Sequence, residues 1–217
     1  MPQPLTVDII RKQAAVYATS VGGAKHPALY GQDNGKRIGT YLEQGFRDFL
    51  KPNYIFEEGS AAEGLDFPSL EVDVKTTSIK QPQSSCPFRN AEQKIYGLGY
   101  HLLLFVYQKE DDAATKTAKL NIQHVVFIQK ERTGDYTLTR LIRSMISEGA
   151  NTDDIFAALE DRNIPLEESY LRKLAEAILK NPPEEGYLTI SNALQWRLQY
   201  NHAIRDAGKV PGLQRLT

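Results

Sequence analysis

Cysteine is nearly missing from this 217-residue chain: Cys86 stands alone. That excludes an intrachain disulfide and a cysteine-based zinc site, and it fits a reducing, cytoplasmic setting. Long hydrophobic runs are missing too. No apolar stretch approaches the roughly 18 residues of a membrane-spanning helix, so no membrane partner is expected. Met1-Pro2-Gln3-Pro4 does not lead from a charged segment into an apolar one, so a secretory leader is not expected either. An excess of charge of one sign is also missing: 26 Lys and Arg face 27 Asp and Glu, a net charge of −1. The chain as a whole is therefore not a basic nucleic-acid binder. The 4 histidines, His26, His101, His124 and His202, are scattered without metal-ligand spacing. There is no Gly-x-Ser-x-Gly elbow. Gly31-x-x-x-Gly35-Lys36-Arg37 is one residue short of a phosphate-binding loop and lacks the hydroxyl residue after its lysine.

What is present is a chain with 41% hydrophobic residues, enough for one domain or a domain with an appended lobe. Helical periodicity is expected over Val7 to Thr19, capped by Thr6, and over Lys36 to Leu50, where Ile38, Leu42, Phe46, Phe49 and Leu50 form an apolar stripe. Tyr54 to Phe56 reads as a short strand. Ala61 to Asp66 and Leu70 to Thr77 read as a hairpin, Ile79 to Pro87 as a polar loop, and Arg89 to Leu98 as a helix. The unbroken apolar run inside Tyr100 to Tyr107 is that of a central strand buried on both faces. Lys109 to Thr117 reads as a polar turn and Lys119 to Gln129 as another strand. Further helices are expected at Thr139 to Glu148, Thr152 to Leu159, Leu166 to Lys180 and Asn192 to Ala207. The expected fold is α/β, a central mixed β-sheet flanked by helices. Residues 1–135 would form the core with its N-terminal helices. Residues 136–217 would form a helical region packed on it and not an independent domain.

The chemistry is concentrated in Asp66-Phe67-Pro68-Ser69-Leu70-Glu71-Val72-Asp73-Val74-Lys75. Leu70, Val72 and Val74 alternate with Glu71, Asp73 and Lys75, which in a strand puts the aliphatic residues on one face and the charged ones, about 7 Å apart, on the other. Asp66 lies just before, across a turn at Phe67-Pro68-Ser69. Carboxylates converging beside a lysine are what a hard divalent cation and an activated water require. The same alternation also describes the solvated face of an ordinary amphipathic strand, and the tripeptide alone does not separate the two.

In its wider context the segment resembles the PD-(D/E)XK nuclease superfamily, and most of all its type II restriction endonucleases. Asp66 matches the first acid, and Asp73-Val74-Lys75 matches the (D/E)XK tripeptide. Glu43, on the preceding helix, matches an acid that some members place near the metal. Leu103-Leu104-Phe105 matches the third core strand. Leu65 rather than proline precedes Asp66, and the gap to Asp73 is short; Glu57, Glu58 and Glu63 are alternatives for the first acid. The resemblance implies a restriction-endonuclease-like core and Mg2+-dependent hydrolysis of double-stranded DNA at a specific sequence, with Mn2+ able to substitute and 5′-phosphate and 3′-hydroxyl ends left behind. Asp66, Asp73 and the carbonyl of Val74 would hold the metal. Lys75 would orient or help deprotonate the attacking water, and Glu71 would assist from the same face. The enzyme would act as a homodimer on palindromic sites. Alternatives are a structure-specific repair or recombination nuclease of the same superfamily, a non-catalytic DNA-binding protein, or an interaction protein with no nucleic-acid role.

Candidates for DNA contact follow the charged strand. Gln81, Gln83, Ser84, Ser85, Arg89, Asn90, Gln93 and Lys94 belong to the types that bond base edges or phosphates, although an exposed loop has the same composition. Arg197, Asn201 and Arg205 recur at four-residue spacing, as on one face of a helix. Glu43 with Arg47 four residues on is equally a plain surface ion pair. Glu148 to Glu185 is acidic and is not expected to face DNA.

Overall fold

The computed structural model describes residues 2–59, 64–86, 89–191 and 196–217. The chain forms two compact units: Met1–Ser84, His101–Ile128 and Asp206–Thr217 make the first, and Ser85–Tyr100 with Gln129–Arg205 make the second. Among the described residues no helix is long and apolar enough to cross a membrane.

The first unit opens with the short strand β1 (Gln3–Pro4) and helix α1 (Val7–Gly23), whose N-cap Thr6 accepts the Ile9 N–H. Ile10, Ala14, Tyr17, Ala18 and Val21 are its buried stripe. Helix α2 (Gly35–Leu50) starts at Asn34, whose side chain accepts the Lys36 and Arg37 N–H groups. It buries Ile38, Leu42, Phe46 and Leu50, as its periodicity predicts. Strand β2 (Tyr54–Ile55) then pairs in parallel with β1. A 3-10 turn at Pro68–Leu70 leads into strand β3 (Val72–Ser78).

The expected hairpin of Ala61 to Asp66 against Leu70 to Thr77 lies partly outside the described residues, and its second arm starts later than expected. Residues 60–63 lie outside the described set, which takes in the alternative acid Glu63; Leu70 belongs to the 3-10 turn; and Glu71 has a positive φ of 52°. The bridge Phe67↔Val72 closes the turn, Phe67 N–H to the Val72 carbonyl at 3.0 Å and the reverse at 3.2 Å. A left-handed residue ahead of the strand breaks the alternation there, so Glu71 does not share a strand face with Asp73.

After β4 (Gln83–Cys86) and the one-turn helix α3 (Gln93–Tyr96), strands β5 (His101–Asp112) and β6 (Thr117–Ile128) form a long antiparallel pair. Both outrun the sequence expectation, because the polar residues Lys109 to Asp112 continue the ladder and leave the turn to residues 113–116. The expected helix from Arg89 shrinks to α3. Asn90 Oδ1 accepts the Gln93 N–H at its start, and Gly97 at φ 90° stops it. The main sheet of the first unit has the order β3-β5-β6-β9, closed by β9 (Leu213–Arg215). It is mixed, as expected: β3 runs parallel to β5, and the other pairs are antiparallel. Val72, Val74, Leu103 and Phe105 enter one core with α1 and α2. Phe46 stands at its centre, 5.4 Å from Phe105 and 6.2 Å from Phe67 between ring centroids. Burying each such ring contributes about 2–3 kcal/mol.

The second unit carries helices α4 (Tyr136–Ser147), α5 (Thr152–Asp161) and α6 (Glu168–Lys180), with Ile142, Leu159, Leu174 and Ile178 among its buried residues. Beyond them lie strands β7 (Thr189–Ile190) and β8 (Trp196–Gln199) and the short helix α7 (Asn201–Asp206), where one long helix was expected. Strands β7 and β8 pair antiparallel in a small sheet ordered β4-β8-β7. The part of that expected helix at residues 192–195 lies outside the described set.

Candidate active site

In the first unit, β3 and the turn before it gather two acids and a base. Because Phe67 and Val72 are bridge partners, their outer neighbours Asp66 and Asp73 come side by side. The short gap between the two acids is therefore taken up by one 3-10 turn. Phe67 is fully buried against Phe46 and Phe56, which fixes the turn. Asp66 Oδ2 accepts the Val74 N–H at 2.8 Å. Two residues beyond Asp73 on β3, Lys75 points the same way, and its Nζ lies 2.6 Å from Asp73 Oδ2. Parallel pairing sets Asp73 against Leu102 and Lys75 against Leu104 on β5.

Helix α2 contributes Glu43 and, one turn on, Arg47. The Arg47 guanidinium forms an ion pair with the other oxygen of Asp66 and donates to Gln44 Oε1 at 3.0 Å. Glu43, Arg47, Asp66, Asp73, Val74 and Lys75 line one cleft of about 300 Å³, with Gly59, Gly64 and Leu65. Five of these six were expected together. Arg47 was expected only as a neighbour of Glu43 on a helix surface; its partner lies 19 residues away and became visible only in the fold. The i,i+4 spacing from Glu43 was the one signal that it shares that face.

Asp73 is only 3% exposed. Burial pushes its carboxyl up to about 7; Lys75 opposes the rise and Asp66 adds to it. Burial, and then the charge of Asp66, raise Glu43 in the same direction against Lys75 and Arg47. Asp73 Oδ2 is shielded from solvent, with Lys75 Nζ as its cationic neighbour. A buried carboxylate beside a second carboxylate suits a hard divalent cation. Among the described residues no group of three or more His, Cys, Asp or Glu is placed to hold a metal. The donor set is thus two carboxylates with backbone oxygen and solvent, which is the kind magnesium accepts.

The DNA-contact candidates are divided between the units. In the first, Gln81 is exposed, while Gln83 and Ser84 are half-buried on β4; Thr77 Oγ1 donates to the Gln81 and Gln83 carbonyls. In the second, Ser85, Arg89, Asn90, Arg197 and Asn201 are exposed. Gln93 and Lys94 are not on the surface. The Gln93 amide donates to the Leu98 carbonyl at 2.9 Å, and burial lowers the Lys94 pKa. Reading a base edge would require them to leave those positions. Arg197 sits on β8 and Asn201 opens α7, so Arg197, Asn201 and Arg205 do not share one helix face.

A family model described as type II restriction enzyme NspV matches residues 4–215. The chain is 51% identical over 209 residues to the type II restriction enzyme NspV of Nostoc sp. (strain ATCC 29411 / PCC 7524), an alignment covering 96% of this chain and 95% of that protein. A crystal structure of the tetrameric restriction endonuclease SfiI bound to cognate DNA is similar at a TM-score of 0.41 and 10% identity, over 95% of this chain and 78% of that one.

Proposed function

The chain belongs to the NspV family of type II restriction enzymes, site-specific deoxyribonucleases, and from that premise we propose that the Asp66–Asp73–Lys75 cleft is where it hydrolyses duplex DNA. The observation that carries this reading is the pairing of Asp66 with Asp73 across the Phe67↔Val72 bridge, with Lys75 against Asp73. Asp66, Asp73 and the Val74 carbonyl would hold Mg2+, for which Mn2+ would substitute. The ion, when bound, neutralises the scissile phosphate and makes water a stronger nucleophile. The chain does the rest. Asp73 is held in place within the cleft by a strand paired with β5. Lys75 holds the attacking water by its ammonium group and donates charge to the phosphate oxygens as negative charge grows on them. Glu43 adds a carboxylate that can take up a proton. Products with 5′-phosphate and 3′-hydroxyl ends follow if the bond to the 3′ oxygen breaks.

The exposed Gln81, Ser85, Arg89, Asn90, Arg197 and Asn201 are the proposed DNA contacts. A homodimer acting in the cytoplasm on palindromic DNA matches two-fold protein to two-fold substrate. The test is incubation of purified protein with linear and supercoiled DNA in Mg2+, beside Asp73→Ala and Lys75→Ala. Discrete fragments from wild type, reduced on the order of 10²-fold or more in both variants, are expected. Cleavage that survives in both folded variants would remove the reaction from this cleft.

A further inference from the structure

We propose that Arg47 is the resident counter-cation of Asp66, that it occupies this carboxylate until a divalent ion displaces it, and that it thereby sets how tightly the enzyme binds metal. This rests on the reading of the Asp66–Asp73 cleft as the metal site. Both oxygens of Asp66 are engaged, one by the Arg47 guanidinium and the other by the Val74 N–H. The peptide N–H is fixed by the strand, whereas the guanidinium ends a long side chain. Of the two donors, only Arg47 can withdraw without moving backbone. A second anchor is already in place for it on its own helix: Gln44 Oε1 accepts from Arg47 at 3.0 Å, and the Gln44 amide in turn donates to Asp48 at 2.9 Å. Arg47 and Asp66 are largely shielded, with side-chain exposures of 19% and 15%, so little solvent screens the competition between two cations for one carboxylate. Asp73 has its own cation in Lys75; Arg47 plays the matching part for Asp66.

A merely structural Arg47 predicts that its removal loosens Asp66 and weakens metal binding. A competing Arg47 predicts the opposite. The experiment is titration of the DNA-free protein with Mn2+, counting free ion by electron paramagnetic resonance, for wild type, Arg47→Met, Arg47→Gln, Arg47→Lys and Asp73→Asn, with thermal melts to certify that each is folded. Arg47→Met keeps the apolar stem and drops the charge; its Mn2+ Kd should fall roughly five- to tenfold. Arg47→Gln, the second neutral variant, should move the same way, and Arg47→Lys should stay within about twofold of wild type because it keeps the charge. Neutral variants that bind Mn2+ no tighter than wild type, while Asp73→Asn loses it, would overturn this role for Arg47 and leave the metal site standing. Wild type and Asp73→Asn binding Mn2+ alike would take away the site itself, and the proposal with it.

Discussion

Asp73 carries a liability that the metal-free protein must bear. Its carboxyl titrates near 7 in the folded chain against 3.8 ordinarily, so the folded state binds more protons than the unfolded state between those values. Stability contributed by the protonated group is intact below about pH 4 and is lost as pH rises through 7. In chelator, urea unfolding of wild type should therefore show stability falling from pH 5 to pH 8. Asp73→Asn cannot titrate there. Its stability relative to wild type should rise over that window by about 2 kcal/mol, less than the full shift implies because the window from pH 5 to pH 8 takes in only part of it. Parallel pH profiles for the two proteins would contradict the buried state of this carboxylate. The placing of Asp73 and Lys75 on one face was readable in the sequence, because alternation on a strand is a local rule, and Asp66 was expected beside them across a turn. The burial of Asp73 was not, since it depends on what covers the second face of β3, and neither was the link from Arg47 to Asp66, which joins two elements.

Elements whose pattern is carried by their own residues were legible. Helices α1 and α2 follow from their apolar stripes and capping residues, and β5 from an unbroken run of Leu, Phe and Val. One failure came from reading one period where another operated. Arg197, Asn201 and Arg205 suggested a helix by their four-residue spacing, yet Leu198 and Tyr200 are buried while Arg197 and Gln199 are exposed, a period of two. The turn at Phe67-Pro68-Ser69 was expected, but Leu70 and Glu71 were read as strand because the positive φ of Glu71 leaves no mark in composition. That turn depends on one side chain. Phe67→Ala should cost about 3–4 kcal/mol in urea unfolding and should also weaken Mn2+ binding, since Asp66 is the next residue. A stable variant with wild-type metal affinity would show that Phe67 does not position the acids.

At the scale of the whole molecule, a net charge of −1 means that any attraction for DNA is local. Binding measured in Ca2+ should weaken steeply with salt, and Arg197→Ala should lower the slope of log K against log salt by about 1. An unchanged slope would remove Arg197 from the phosphate contacts. Sedimentation should give a mass about twice the 24.4 kDa of one chain; a single-chain mass on cognate DNA would contradict the two-fold arrangement. The division into two units also gives the lone thiol a use. Cys86 is buried in the second unit, 3.4 Å from the Tyr100 hydroxyl, where a bulky reagent cannot reach its sulfur. Its alkylation therefore times the opening of that unit, so the chain carries a built-in clock for one unit while the unit with the proposed cleft reports through metal and cleavage.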